Sequence, residues 1–167
     1  KGDQIICAVA DCTGHGVPGA FMSILGQNIL ENVVQRSNAV NPGSILTMLN
    51  KEIVARFYKK EESVKHGMDI AMIMIDEKHQ QVHYAGAKNS LYLVRENTLN
   101  ELKADRFSIG SVSKEQQPIT YTNHTSDLKK GDMLYLFSDG FPDQKGGRDK
   151  KKFYYQPFKD LLISISN

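Results

Sequence analysis

Apolar residues recur at helical spacing in the first third of this chain and in short strand-like blocks after it. Lys1-Gly2-Asp3-Gln4 reads as a turn, and Ile5 to Ala10 follows as an unbroken apolar run, the mark of a strand buried on both faces. Such a run is the second arm of a hairpin whose first arm lies upstream of Lys1. Ala20, Phe21, Ile24, Leu25, Ile29, Leu30, Val33 and Val34 then keep a helical period to about Arg36. Pro18 suits the first turn of that helix, where its missing N–H costs nothing. Asn41 and Pro42 open a second helix as cap and first helical residue, and Ile45, Leu46, Leu49, Ile53 and Phe57 form its apolar face. Lys59 to Gly67 is a charged loop.

Strand signals dominate from there. Met68 to Asp76 is a doubly buried run, Glu77 to Gln80 turns, and Gln81 to Ala87 returns as a hairpin. Ser90 to Arg95 is a further strand, Glu96 to Asn100 a turn, and Glu101 to Ala104 pairs back. Phe107 to Gly110 leads into a loop and Ile119 to Thr122 alternates. Lys130-Gly131-Asp132 turns into Met133 to Phe137, apolar throughout, and Phe153 to Ile165 is a helix. Early helices followed by antiparallel hairpins define an α+β fold rather than an alternating α/β one. With no repeat and no internal linker, residues 1–167 read as one domain.

Charge narrows the function classes. Lys and Arg number 21 against 19 Asp and Glu, so no imbalance points to nucleic acid or a membrane surface. The densest basic run, Lys145 to Lys152, contains glycines and reads as a solvated loop rather than a phosphate patch. Two cysteines, no signal peptide and no long apolar stretch indicate a reduced, soluble, cytoplasmic chain. The five histidines show no zinc-binding spacing.

Two apolar strands end in aspartate. Ile5–Ala10 ends in Asp11, and Met133–Phe137 ends in Ser138-Asp139-Gly140. A partly desolvated carboxylate at a strand end is costly, and a hard divalent cation with oxygen ligands removes that cost. If the two strands are neighbours in one sheet, Asp11 and Asp139 share a metal site; otherwise each merely starts a turn. Asp76 also ends an apolar run, but a plain hairpin explains it. Gly14, Gly16 and Gly19 match the spacing of a dinucleotide-binding loop. The second parallel strand that such a fold needs about 20 residues later is absent, and Pro18 removes a backbone N–H that would face the phosphates.

The segments "ADCTGHGVPGAFMS" (10–23), "YAGAKNSLYLV" (84–94), "FSIG" (107–110) and "GDMLYLFSDGFPDQ" (131–144) occur in one order across most of the chain. Together they resemble the SpoIIE-type branch of the metal-dependent, PPM-type protein phosphatases, bacterial relatives of the type-2C serine/threonine phosphatases. The resemblance implies two stacked antiparallel β-sheets flanked by helices, an α-β-β-α sandwich, with two Mn²⁺ or Mg²⁺ ions at one end. It implies that Asp11 bridges the ions, that Asp139 binds one, and that the Cys12 carbonyl is a further ligand. The implied reaction is hydrolysis of phosphoserine or phosphothreonine on a regulatory protein by a metal-activated water. An anti-sigma-factor antagonist is the substrate kind it suggests, with a sensor domain upstream in the parent chain. His15 is either a proton donor to the leaving serine oxygen or a part of the glycine turn. Gly14, Gly16 and Gly140 read as structural glycines at the site. Asp143 reads as a turn residue or a support of the site, and the place of Asp69, at the head of the central strand, is left open.

Two elements of the family pattern fall outside this sequence: an aspartate on a strand before Lys1 and an aspartate pair after the last helix. The expectation is therefore a partial domain missing terminal strands. The alternative to the enzyme is a catalytically incomplete, phosphatase-like protein-binding module in bacterial signalling.

Overall fold

A computed structural model describes residues 4–14, 16–36, 41–57, 67–112, 119–148 and 150–166. His15, the turn expected before residue 4 and most of the charged loop expected over Lys59 to Gly67 lie outside the described residues. In chain order the elements are β1 (Gln4–Cys12), α1 (Gly16–Arg36), α2 (Pro42–Phe57), β2 (Met68–Asp76), β3 (Gln81–Ala87), β4 (Leu91–Arg95), β5 (Thr98–Leu102), β6 (His124–Asp127), β7 (Met133–Tyr135), β8 (Lys145–Gly146), β9 (Lys151–Lys152) and α3 (Tyr155–Ile165). One sheet has the order β1-β2-β3-β6 and a second the order β5-β4-β7, and among the described residues every strand pairing in both is antiparallel.

Alternation along β2 sets the layers. Ile70, Met72 and Met74 pack under the helices against Ile29, Val33, Ile45, Leu46, Leu49 and Ile53. Ala71 and Ile73 point the other way and join Val82, Tyr84, Leu91, Leu134 and Leu136 between the two sheets. Tyr92, Phe158 and Leu162 form a third cluster between the second sheet and α3. The layers thus run helices, sheet, sheet, helix, as the α-β-β-α expectation has it. Successive strand residues point to opposite faces, so a strand with apolar layers on both sides must be apolar throughout, and "MDIAMIMID" is.

α2 begins as its sequence dictates: Asn41 Oδ1 accepts the backbone N–H of Ser44 at 3.0 Å, and Pro42 is the first helical residue. Four other expectations are corrected. β1 is not buried on both faces. Among the described residues it is the outer strand of its sheet, and most of its residues, including Ile5 at 47 % exposure, reach solvent. Phe21 and Ile24 of α1 also lie outside the buried face, which is formed by Gly19, Met22, Gly26, Ile29 and Val33. The turn expected over Glu96 to Asn100 shrinks to Glu96-Asn97, both left-handed (φ 48 and 61), so β5 starts at Thr98. Ile119 to Thr122 is not a strand. Its backbone is held by side chains, Tyr121 N–H on Thr47 Oγ1 at 3.1 Å and Thr122 N–H on Asp105 Oδ2 at 2.7 Å, and the ladder strand is β6.

β7 is short and pairs with β4, and a half-buried ion pair anchors the turn before it. Arg95 Nε and Nη2 donate to the two oxygens of Asp132 at 2.7 and 2.6 Å, and the Asp132 side chain is 3 % exposed. The Arg95 guanidinium holds the Asp132 carboxyl below its ordinary range. A carboxyl depressed in the folded state stabilises the fold above its unfolded pKa, and the contribution is lost as pH falls through the folded pKa. Asp132→Asn should therefore cost about 2 kcal/mol near neutral pH, and the gap to the parent should close below the normal carboxylate range in pH-dependent urea melts. Asn41→Ala should cost about 1 kcal/mol in the same melts at any pH that leaves the rest of the fold intact.

Candidate metal centre

The strand registers gather one end of the sandwich. Asp11 stands directly opposite Asp69 at the head of β2, and Cys12 opposite Met68. β3 finishes at the same end, with Ala87 opposite Ile70. The link Lys88-Asn89-Ser90 then leads into β4, whose Tyr92 lies opposite Tyr135, the last residue of β7. Asp139 follows shortly after. The strands carrying Asp11 and Asp139 are therefore not neighbours in one sheet. They belong to facing sheets, and both strands run out at the same end. Asp11 and Asp69 share the strand face of Ala71 and Ile73, the face turned toward the second sheet.

Backbone clamps hold this end in shape. Thr13 N–H and Oγ1–H donate to the Gly67 carbonyl at 2.9 and 3.1 Å, and Gly67 N–H donates back to Thr13 Oγ1 at 2.7 Å. The residue after Cys12 is thereby tied to the entry of β2. Met68 and Ile109 exchange backbone hydrogen bonds at 3.0 and 2.8 Å, which brings the "FSIG" loop onto the same corner. Asn50, a buried polar residue on the apolar side of α2, accepts Gly110 N–H at 2.7 Å and donates to the Ser111 carbonyl at 3.3 Å. Tyr84 Oη donates to the Asn89 carbonyl at 2.7 Å and fixes the link between the sheets.

Gly14 and Gly16 both have left-handed φ, 100 and 68, and a Cβ on Gly19 would sit 2.8 Å from the Gly14 carbonyl oxygen. The turn after Asp11 thus needs glycine, and α1 starts against it. Gly140 differs: a Cβ there would meet only Ser138 Oγ at 3.5 Å, so space does not demand glycine. Asp139 is exposed, and its carbonyl accepts Asp143 N–H at 2.9 Å. Asp143 pairs with Lys152 Nζ at 2.7 Å across the β8–β9 hairpin, where the basic run was read as loop. Asp76 is a turn residue, its carboxylate bound to His79 N–H and Nδ1 at 3.0 and 2.8 Å.

Among the described residues no three His, Cys, Asp or Glu side chains converge as a metal cluster. The donors present still suit a hard cation. Asp69 Oδ1 is buried without a hydrogen-bond partner, directly across from a second carboxylate, and a Mg²⁺-type ion commonly uses one or two carboxylates and keeps several waters. Register was the signal that sequence reading lacked, because only the pairing of β1 with β2 puts Asp69 beside Asp11.

Two antiparallel sheets between helices are the architecture of PP2C-type phosphatase domains. The SiaA-PP2C domain of Pseudomonas aeruginosa matches with a TM-score of 0.84 at 31 % identity, over 98 % of this chain and 62 % of that one. A magnesium complex of RsbX shares the fold at 18 % identity and a TM-score of 0.62, over 100 % of this chain and 76 % of that one. The family model described as Stage II sporulation protein E (SpoIIE) matches residues 1–165, and the chain belongs to that family. It is 28 % identical over 167 residues to the phosphoserine phosphatase RsbU of Bacillus subtilis (strain 168), covering 96 % of this chain and 45 % of that protein. The chain thus spans less than half of this curated relative. No helix among the described residues is long and apolar enough to cross a membrane.

Asn50→Leu should leave Gly110 N–H buried and unpaired and cost about 1–3 kcal/mol. A urea melt measures the loss, and faster amide exchange at Gly110 locates it in the "FSIG" loop.

Proposed function

We propose that this chain is the phosphatase domain of a protein that hydrolyses phosphoserine or phosphothreonine on a regulatory protein in the bacterial cytoplasm. What supports the reading is that the strands leading to Asp11 and to Asp139 both run out at one end of the sandwich, on a chain that belongs to the SpoIIE family. The magnesium in the RsbX complex and the phosphoserine activity in the name of RsbU support it. Asp11, the Cys12 carbonyl and Asp139 would hold the divalent ions, Mn²⁺ or Mg²⁺, two of them by the family pattern. When bound, such ions lower the pKa of a coordinated water and offset charge on the phosphoryl oxygens.

The chain's own residues position those groups. The Thr13–Gly67 clamp fixes the backbone on either side of the Cys12 carbonyl's peptide, and the Gly14–Gly16 turn brings α1 close behind Asp11. Asp143, paired with Lys152, holds the turn that carries Asp139. His15, between Gly14 and Gly16 in the sequence, is the candidate proton donor to the leaving oxygen. The substrate class is a phosphorylated signalling protein of the anti-sigma-factor-antagonist kind, with a sensor domain elsewhere in the longer protein. The second reading, a docking module without catalysis, is favoured by the lack of a three-ligand cluster among the described residues.

In the full-length protein, Asp11→Ala and Asp139→Ala should each lower Mn²⁺-dependent turnover of a phosphoserine protein by about 100-fold or more, an electrostatic loss of the size seen for transition-state stabilisers. Phosphate release that survives chelation and both substitutions contradicts the enzyme reading. Protein capture with neither metal binding nor phosphate release supports the docking module.

A further inference from the structure

Residues directly opposite in an antiparallel pair share a face, and like charges placed so are destabilising. Asp11 and Asp69 are such a pair, the penultimate one of the β1–β2 ladder. Asp69 also opens the most deeply buried strand: Met68 and Ile70 on either side of it are 2 % and 0 % exposed. Its Oδ1 is buried with no hydrogen-bond partner. The nearby Tyr121 phenol is pushed up by its own burial first, then by the charges of Asp105 and Asp69. The strand around Asp69 is therefore an apolar wall. Among the described residues no lysine, arginine or histidine forms an ion pair with Asp11 or Asp69.

A fold that merely tolerated this arrangement would carry two unfavourable features at one spot, opposed carboxylates and a buried acceptor left empty. One divalent cation between the two side chains removes both. Sulfur and imidazole play no part in that pairing, which suits Mg²⁺ or Mn²⁺ over softer ions.

We infer that Asp69 is a further carboxylate ligand of the ion held by Asp11. The inference rests on the metal-dependent reading above and assigns to β2 a role that the strand-end aspartates alone do not give it. Both carboxylates lie on one rigid strand pair, so this half of the site is built by the first sheet alone. Asp139, in the turn that follows β7, would supply the other half.

Mn²⁺ alone is the probe. Calorimetric titration of the full-length protein should show Asp69→Asn binding Mn²⁺ about 10- to 100-fold more weakly than the parent. In metal-free buffer the same variant should melt a few degrees higher, because it loses the opposed charge. Asp69→Glu, which keeps the carboxylate, should recover part of the Mn²⁺ affinity, and it serves as the test if the Asn variant does not fold. Undiminished Mn²⁺ affinity in Asp69→Asn, with affinity lost in Asp11→Asn, overturns this inference and leaves the phosphatase reading standing. A lower metal-free melting temperature in Asp69→Asn, with unchanged affinity, assigns Asp69 a structural role and also overturns it. A parent protein that binds no Mn²⁺ brings down both readings together.

Discussion

β2 is the constraint on which the rest depends. Its side chains alternate between the helical layer and the second sheet, and residues 70–74 of it are buried on both faces. Packing on both faces leaves no freedom to slip, since a shift of one residue would exchange the two layers. The register of β1 and β3 follows from it, and so does the position of everything at the end of the sandwich. Asp69 heads this strand and inherits its fixed position. Asp11 receives its place from the same ladder.

The candidate site is therefore placed by the sheet and finished by loops. The three-residue link between β3 and β4 turns the chain from one sheet to the other at this end, and β7, paired with the start of β4, runs out there four residues before Asp139. Tyr84, Asn50 and Thr13 each spend a side-chain hydrogen bond on loop backbone at this corner. Buried polar groups of this kind are costly when unpaired, and their pairing gives the loops one conformation. The unpaired oxygen of Asp69 stands out against that background.

Much of the fold was legible in the sequence. Asn41-Pro42 and the apolar face of α2, the all-apolar β2 and the β2–β3 hairpin follow local rules that tertiary contacts reinforce. Reading failed where a neighbour outside the local window decides the outcome. An apolar run such as Ile5–Ala10 looks the same at a sheet edge as at its centre. Ile119 and Tyr121 are buried with strand-like alternation, but the backbone N–H groups of Tyr121 and Thr122 go to the side chains of Thr47 and Asp105. At the site, the Asp11 and Asp139 motifs were legible from apolar runs that end in a carboxylate. Asp69 was not, because nothing in "MDIAMIMID" says which residue it will face. His15 lies outside the described residues, so its two readings stand as the sequence left them.

The most direct test is anomalous scattering at the manganese edge from crystals of the protein grown with Mn²⁺. The account predicts a peak between the carboxylates of Asp11 and Asp69, at the end of the sandwich that also carries Asp139. An empty corner in crystals that hold Mn²⁺ elsewhere on the chain would contradict it.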